Sequence, residues 1–316
     1  MSFTNTIIIC KAHFTLRGLN TAAKNVGNMF SIPVVDTEDY KSNFNLYKNN
    51  DIIFEGWIDS YMEIIKLSTG RKYVRWQSPI TQSELSENSV EILLFLKLLQ
   101  FKNNDIIQGI FVSDFSLSEC YPGHVSHFPN IFKSQQVSNQ ISISSKSSVG
   151  VIMTYTPRKN ISSNLLCAKL LDDEVVLSSN IPSNYYKFCE ESDIRCKVVD
   201  LTDDEIYNST ISTLKLSLQV TLSESLNYGI TDAIFNGTAV ICSHNTPIVG
   251  VNKTFDSMCA VDRVDSPSAI YEKAIMFYRS ENYYHDFISL GLEVLDSYNQ
   301  KSISIISDLL SKYRFT

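Results

Sequence analysis

The sequence predicts an α/β protein of two domains, each a parallel sheet flanked by helices. Three observations carry that expectation. Short β-branched runs alternate with stretches of 3.6-residue period almost from end to end, as successive βαβ units do. A Ser/Gln/Asn-rich stretch, Lys133–Ser148, is poor in large apolar residues and interrupts the alternation near the middle, as an interdomain linker would. The length of 316 residues, 44% of them hydrophobic, is enough for two separate cores.

In the first half, strands are expected at 6–10, 32–36, 51–54, 72–76 and 107–113, and helices at 18–30, 58–68 and 88–101. The opening run Thr6-Ile7-Ile8-Ile9-Cys10 has no basic segment before it and no cleavage site after it, so it reads as a strand and not a signal peptide. In the third helix Val90, Leu93, Leu94, Lys97 and Leu98 keep the helical period. After the linker, strands are expected at 149–154, 174–178, 195–201, 216–222, 239–243 and 259–261. Helices are expected at 164–171, 183–191, 203–213, 229–236, 267–279 and 283–298, with Asp203 as an N-cap. A last segment, 302–313, carries Ile305, Leu309 and Tyr313 on one stripe. The domains are accordingly drawn at 1–140 and 141–300, with 301–316 a helix packing back on the first.

No apolar run approaches the ~18 residues of a membrane span. Seven scattered cysteines without a Cys-x2-Cys pair suggest free thiols in a reducing compartment, so a cytoplasmic location is expected. A net charge of −7 counts against a large phosphate-neutralising surface for nucleic acid. Cys120, His124 and His127 are ligand types that suit zinc, but only three are local, and no metal site is assigned. Neither a nucleophile elbow nor a Walker loop is present, which leaves hydrolase and P-loop readings unsupported.

The most informative stretch is Leu216–Ser243, LSLQVTLSESLNYGITDAIFNGTAVICS. An apolar run ends in Ser223-Glu224, a short helical segment stops at Gly237, and a second β-branched run follows. Glu224 and Asp232 stand eight residues apart, one in the loop after a strand and the other in the expected first turn of the next helix. Ligands in open α/β sheets bind at the carboxyl ends of strands, where both acids can face one crevice.

This stretch resembles the Glu-x7-Glu motif of retaining GT-B glycosyltransferases of the glycogen-synthase-like superfamily. Ser223-Glu224 and Gly237-Thr238 keep the pattern, while Leu226 replaces Phe, Asn227 replaces Gly, Asp232-Ala233 replaces Glu-Ala and Ala239-Val240 replaces Pro-Val. Asn is the residue besides Gly that best tolerates positive φ. The resemblance implies a GT-B fold, two Rossmann-like domains facing each other across a cleft, and transfer of a hexose from a nucleotide diphosphate sugar to an acceptor hydroxyl. The donor would be UDP- or GDP-linked, and no other cofactor is implied. The acceptor is left open among a glycan, a small molecule, a protein and modified DNA.

The resemblance also assigns roles. Glu224 would contact the donor sugar, and the backbone N–H groups of Ser225, Leu226, Asn227 and Tyr228 would hold the sugar and β-phosphate. Asp232 would accept hydrogen bonds from the ribose. The segment Thr154–Asn160 resembles the superfamily slot whose Arg and Lys grip the phosphates: Lys159 matches the Lys, Tyr155 stands at the Arg position, and Arg158 is the expected substitute. With Arg158 and Lys159 in place and no Asp-x-Asp motif, the leaving diphosphate would be neutralised without a metal. Gly18 is the one residue kept from the glycine-rich turn after the first strand, where Arg17 or His13 would contact phosphate or acceptor. No His stands at the end of the fourth strand, where Trp76 or Gln77 would take its place. Two rivals share these residues: a transferase acting on modified bases of phage DNA, and a GT-B-derived binding or chaperone subunit without catalysis.

Overall fold

The computed structural model describes residues 5–11, 17–78, 90–133 and 143–315. The chain divides into two compact units, Met1–Lys133 with Asn299–Thr316, and Ser134–Tyr298. In the first unit β1 (Thr6–Ile9), β2 (Val34–Val35), β3 (Asp51–Glu55), β4 (Lys72–Trp76), β5 (Gly109–Val112) and β6 (Val125–His127) form one sheet in the order β2-β1-β3-β4-β5-β6. In the second, β7 (Ser147–Gly150), β8 (Val175–Ser178), β9 (Cys196–Val199), β10 (Leu214–Gln219), β11 (Ala239–Ser243) and β12 (Ala260–Val261) take the order β12-β11-β10-β7-β8-β9. Among the described residues every pairing is parallel. Both sheets reverse their strand order once, between β1 and β3 and between β7 and β10. Such switch points open a crevice at the strand carboxyl ends, because the flanking connections leave on opposite faces.

Parallel strands covered by helices are buried on both faces, which explains their uninterrupted apolar runs. In β1, Ile7 and Ile9 enter a core with Ile52, Phe54, Tyr61, Ile64 and Leu98. Ile8, pointing the other way, joins Ile53, Ala23, Val26, Ile306 and Leu310. The period of two thus feeds two cores from one strand. Each such side chain contributes roughly 1.5–3 kcal/mol by burial.

Four differences from the expected elements have physical causes. β6 follows Gly123-His124 and contains one apolar residue; it pairs at the sheet edge with β5, so its sequence carries no buried run. The short helices Thr37–Ser42, Phe115–Cys120 and Lys253–Cys259 are too brief to show a period, yet Asp36, Asp114 and Asn252 cap them through their side chains. β7 begins at Ser147, inside the expected linker, whose residues 134–142 lie outside the described residues. The last two expected helices are one, Glu281–Lys312. Its polar middle is not a break: Asn299 is buried and brackets Phe132, accepting from Phe132 N at 3.1 Å and donating to Phe132 O at 3.0 Å.

The chain end is held to the first unit. The Arg71 guanidinium pairs with Asp51 and donates to the carbonyls of Tyr313, at 2.6 Å, and Arg314, at 2.8 Å. Tyr313 and Phe315 pack edge-on or tilted against Tyr73 and Phe111. All seven cysteines carry free thiols. Among the described residues no helix is long and apolar enough to cross a membrane.

Candidate functional site

The β7/β10 switch point brings together residues about 65 positions apart in sequence. After β7 the chain runs to a single 3-10 turn, Pro157–Lys159, and then to Asn160, whose φ of 53° and ψ of 42° are left-handed. Pro suits the first position of such a turn because its fixed φ is already helical, and Asn accepts the left-handed region better than other residues with a side chain. Asn160 also donates to the carbonyl of Val264. The helix Ile161–Leu170 follows, and its Asn164 binds the strand end after β10 on both sides, donating to Val220 O at 2.9 Å and accepting from Val220 N at 3.2 Å. Leu222 N in turn donates to Arg158 O at 2.7 Å. The turn after β7 and the loop after β10 are therefore one hydrogen-bonded body.

That body delivers two cations to one carboxylate. Lys159 Nζ lies 2.8 and 2.7 Å from the two Glu224 oxygens, and Arg158 Nη1 lies 2.7 Å from Oε1. Arg158 Nη1 also donates to Ser223 O at 3.3 Å. The side chains of Glu224 and Lys159 are 5% and 8% exposed, against 20% for Arg158, which places the arginine at the rim. Burial alone would raise the Glu224 pKa; the charges and hydrogen bonds of Lys159 and Arg158 outweigh it and hold the carboxyl below its ordinary range. Burial lowers the Lys159 pKa, and Glu224 pulls it partly back. Lone buried charges of this kind would be costly; the cluster persists because each ion has a partner.

From Glu224 the loop runs to Asn227, which caps the helix Tyr228–Phe235 by accepting from Gly229 N at 3.1 Å. The cap itself is held from below: Asn227 Nδ2 donates to Gln219 Oε1 at 2.9 Å, and Gln219 Nε2 donates to Ile152 O at 3.1 Å. A side chain at position 229 would lie 3.2 Å from both Asn227 Oδ1 and Gln219 Oε1, so Gly229 lets this cap close. The helix ends at Gly237, whose φ of 65° is the left-handed turn that glycine permits. Ser225 is half-buried and Leu226 buried, and among the described residues their backbone N–H groups have no hydrogen-bond acceptor. Free N–H donors beside a helix start, with the helix dipole behind them, are of a kind that suits an anion.

Asp232 is not in the first helical turn. Because Asn227 takes the cap, the helix starts at Tyr228, one residue earlier than expected, and Asp232 falls in the second turn. Its Oδ2 accepts from Tyr207 OH at 3.0 Å. Tyr155, expected at the Arg position of a phosphate-gripping slot, is tied to the end of β8: Ser178 N donates to its hydroxyl at 2.9 Å. Its role here is to join strand ends.

The remaining expected residues sit in the first unit. Gly18 is the exposed second residue of the helix Arg17–Phe30, with open space around its Cβ direction and no positive φ, so it forms no glycine turn. His13 and the side chain of Arg17 lie outside the described residues. Trp76 is buried against Phe95, and Gln77 donates to the buried Glu55. Glu55 pairs with Arg75 at 3.1 Å, and Arg75 reaches Asn130 Oδ1 at 2.7 Å. Among the described residues no group of three or more His, Cys, Asp or Glu is placed to hold a metal ion. Sequence reasoning missed Asn164, Gln219 and Tyr207. Only Gln219 gave a signal, as a polar residue buried at the end of an apolar strand.

Two parallel six-stranded sheets, each in its own α/β unit, with a final helix shared between the two residue sets, define the GT-B class of fold. Solved GT-B glycosyltransferase structures match it. Sucrose-phosphate synthase from Thermosynechococcus elongatus superposes with a TM-score of 0.67 at 13% identity, over 88% of this chain and 76% of its own. HepE from Anabaena, in complex with UDP-glucose, gives 0.66 at 10% identity over 98% of this chain and 99% of its own. TarM from S. aureus, in a complex containing UDP, gives 0.60 at 12% identity over 81% of this chain, which spans only 55% of TarM. No protein-family model matches the chain, and no curated protein matches its sequence. At these identities the likeness establishes the fold.

Proposed function

We propose that the chain is a glycosyltransferase that moves a hexose from a nucleotide diphosphate sugar to an acceptor hydroxyl, with retention of anomeric configuration and without a metal. The observation that supports this best is the Arg158–Lys159–Glu224 cluster at the β7/β10 switch point. It combines two cations for a diphosphate with a carboxylate able to accept from sugar hydroxyls. The N–H groups of Ser225 and Leu226 and the start of the helix at Tyr228 add donors for the β-phosphate. Structures of HepE with UDP-glucose and with UDP favour a uridine donor.

In the resting chain Glu224 occupies both cations. An incoming diphosphate competes for them and turns the carboxylate toward the sugar. The bond from the anomeric carbon to the phosphate oxygen then breaks, while the acceptor oxygen bonds to the same face of that carbon. The acceptor proton passes to the departing phosphate oxygen, so no protein nucleophile is required. Arg158 and Lys159 stabilise the negative charge that grows on the diphosphate, and the rigid body of turn and loop holds the reacting groups in place.

A thermal-shift series with UDP-, GDP- and ADP-sugars in the presence of EDTA tests the reading, followed by release of free sugar from the stabilising donor. Stabilisation by one donor, with slow metal-independent hydrolysis, is the expected result. Stabilisation without turnover under any condition would point to a non-catalytic binding subunit. Turnover that vanishes on chelation and returns with Mn²⁺ would overturn the metal-independent assignment.

A further inference from the structure

We infer that Tyr207, outside the Leu216–Ser243 motif, is the positioning residue for the ribose of the donor. Its hydroxyl fixes the Asp232 carboxylate. The inference rests on the reading of Asp232 as the ribose acid and assigns the residue that makes it selective.

Tyr207 lies on the helix Asp204–Thr213, started by Asp203, whose carboxylate accepts from Glu205 N at 2.8 Å and Ile206 N at 3.0 Å. Its phenol donates to Asp232 Oδ2 at 3.0 Å across to the helix Tyr228–Phe235. Both residues are half-buried.

The contact is built on a locked helix pair. One turn beyond Tyr207, the carbonyl of Ile211 accepts from Thr238 Oγ1 at 2.7 Å. One turn beyond Asp232 stands Asn236, whose carbonyl accepts from Lys146 Nζ at 3.5 Å. The same ammonium reaches the carbonyl of Ser212 and lies 3.2 Å from Thr238 Oγ1. Lys146 is 7% exposed. A buried cation thus gathers the carbonyl ends of both helices, where the helix dipoles favour positive charge. Slippage of one helix along the other would have to break this clamp.

An aspartate in place of the superfamily's glutamate has one methylene fewer with which to adjust to a diol. A shorter acid must be aimed by its surroundings, and Tyr207 supplies the aim through one carboxylate oxygen. The predicted consequence is discrimination by the sugar hydroxyls of the nucleotide and not a general gain in affinity.

The test compares binding of UDP and its 2′,3′-dideoxy analogue, by calorimetry, to the full chain and to Tyr207→Phe, Asp232→Asn and the double variant. The intact chain should prefer UDP by ten-fold or more. Tyr207→Phe should weaken UDP three- to ten-fold and leave the dideoxy analogue unchanged, and the double variant should be no worse than Asp232→Asn. Equal weakening of both ligands by Tyr207→Phe would show a merely structural role and overturn the inference. So would no change in either, with Asp232→Asn still removing the preference. If Asp232→Asn itself leaves the preference intact, the reading of Asp232 fails first, and the role of Tyr207 falls with it.

Discussion

Replacing Glu224 with Gln keeps the volume of the side chain and removes only its charge, which isolates the electrostatics of the cluster. Lys159, 8% exposed, cannot regain water without leaving its turn, whereas Arg158, 20% exposed at the rim, can swing outward. One uncompensated buried cation therefore remains, at a cost of about 3–5 kcal/mol. At the roughly 2–4 °C per kcal/mol of a domain of 150–250 residues, the melting temperature should fall by about 6–20 °C at pH 7. Adding Lys159→Met removes the stranded charge and should recover most of that loss. The Glu224 pKa is held below its unfolded value of about 4.3, so its contribution is present above that value and is lost as pH falls through the folded pKa. The gap between the parent chain and Glu224→Gln should accordingly narrow below pH ~4. UDP should stabilise Glu224→Gln at least as much as the parent, because its diphosphate now meets unpaired cations, while turnover drops at least about ten-fold, or ~1.4 kcal/mol. Melting within 2 °C of the parent, in the sense of less than about 1 kcal/mol, would refute the buried-cluster account.

Three further outcomes follow from the packing. Asn227→Ala removes both the helix cap and the bond to Gln219, and urea titration should show a loss of about 1–2 kcal/mol. Arg71→Met releases the carbonyls of Tyr313 and Arg314, so limited proteolysis should clip the last residues much faster than in the parent while the second unit melts unchanged. Burial lowers the Lys146 pKa to about 8. The unfolded chain then binds more protons than the folded one from about pH 8 to about 10.4, and stability gains a rising component across that window. Lys146→Met should remove that component in urea titrations at pH 7, 8.5 and 10.

What was legible in the sequence was whatever burial writes into it. The strands of the first sheet show as apolar runs because helices cover both of their faces, and Ile7, Ile8 and Ile9 must all be apolar to serve two cores. β9 is legible despite its exposed Lys197 and Val198 because turns bound it on both sides. β6 left no trace, since an edge strand of three residues needs no apolar alternation. The short capped helices were missed for a different reason. Their information lies in single capping residues, Asp36, Asp114 and Asn252, and not in a period.

The candidate site was legible as residues but not as an arrangement. Glu224 and Lys159 each carried a motif, but nothing in either motif states that one carboxylate would hold both cations. That follows from the strand order, because β10 returns beside β7 and sets the ends of the two strands side by side. Asp232 lies one residue deeper in its helix than the range 229–236 implies, because Asn227, held by the buried amide of Gln219, takes the cap and starts the helix at Tyr228. Tyr207, Asn164 and Lys146 act on the motif from other elements, through bonds that span 25, 56 and 92 positions. A local pattern can specify which groups meet a ligand. The angle and charge state at which they meet it are set by long-range partners, and that is where substitutions outside the motif should be felt.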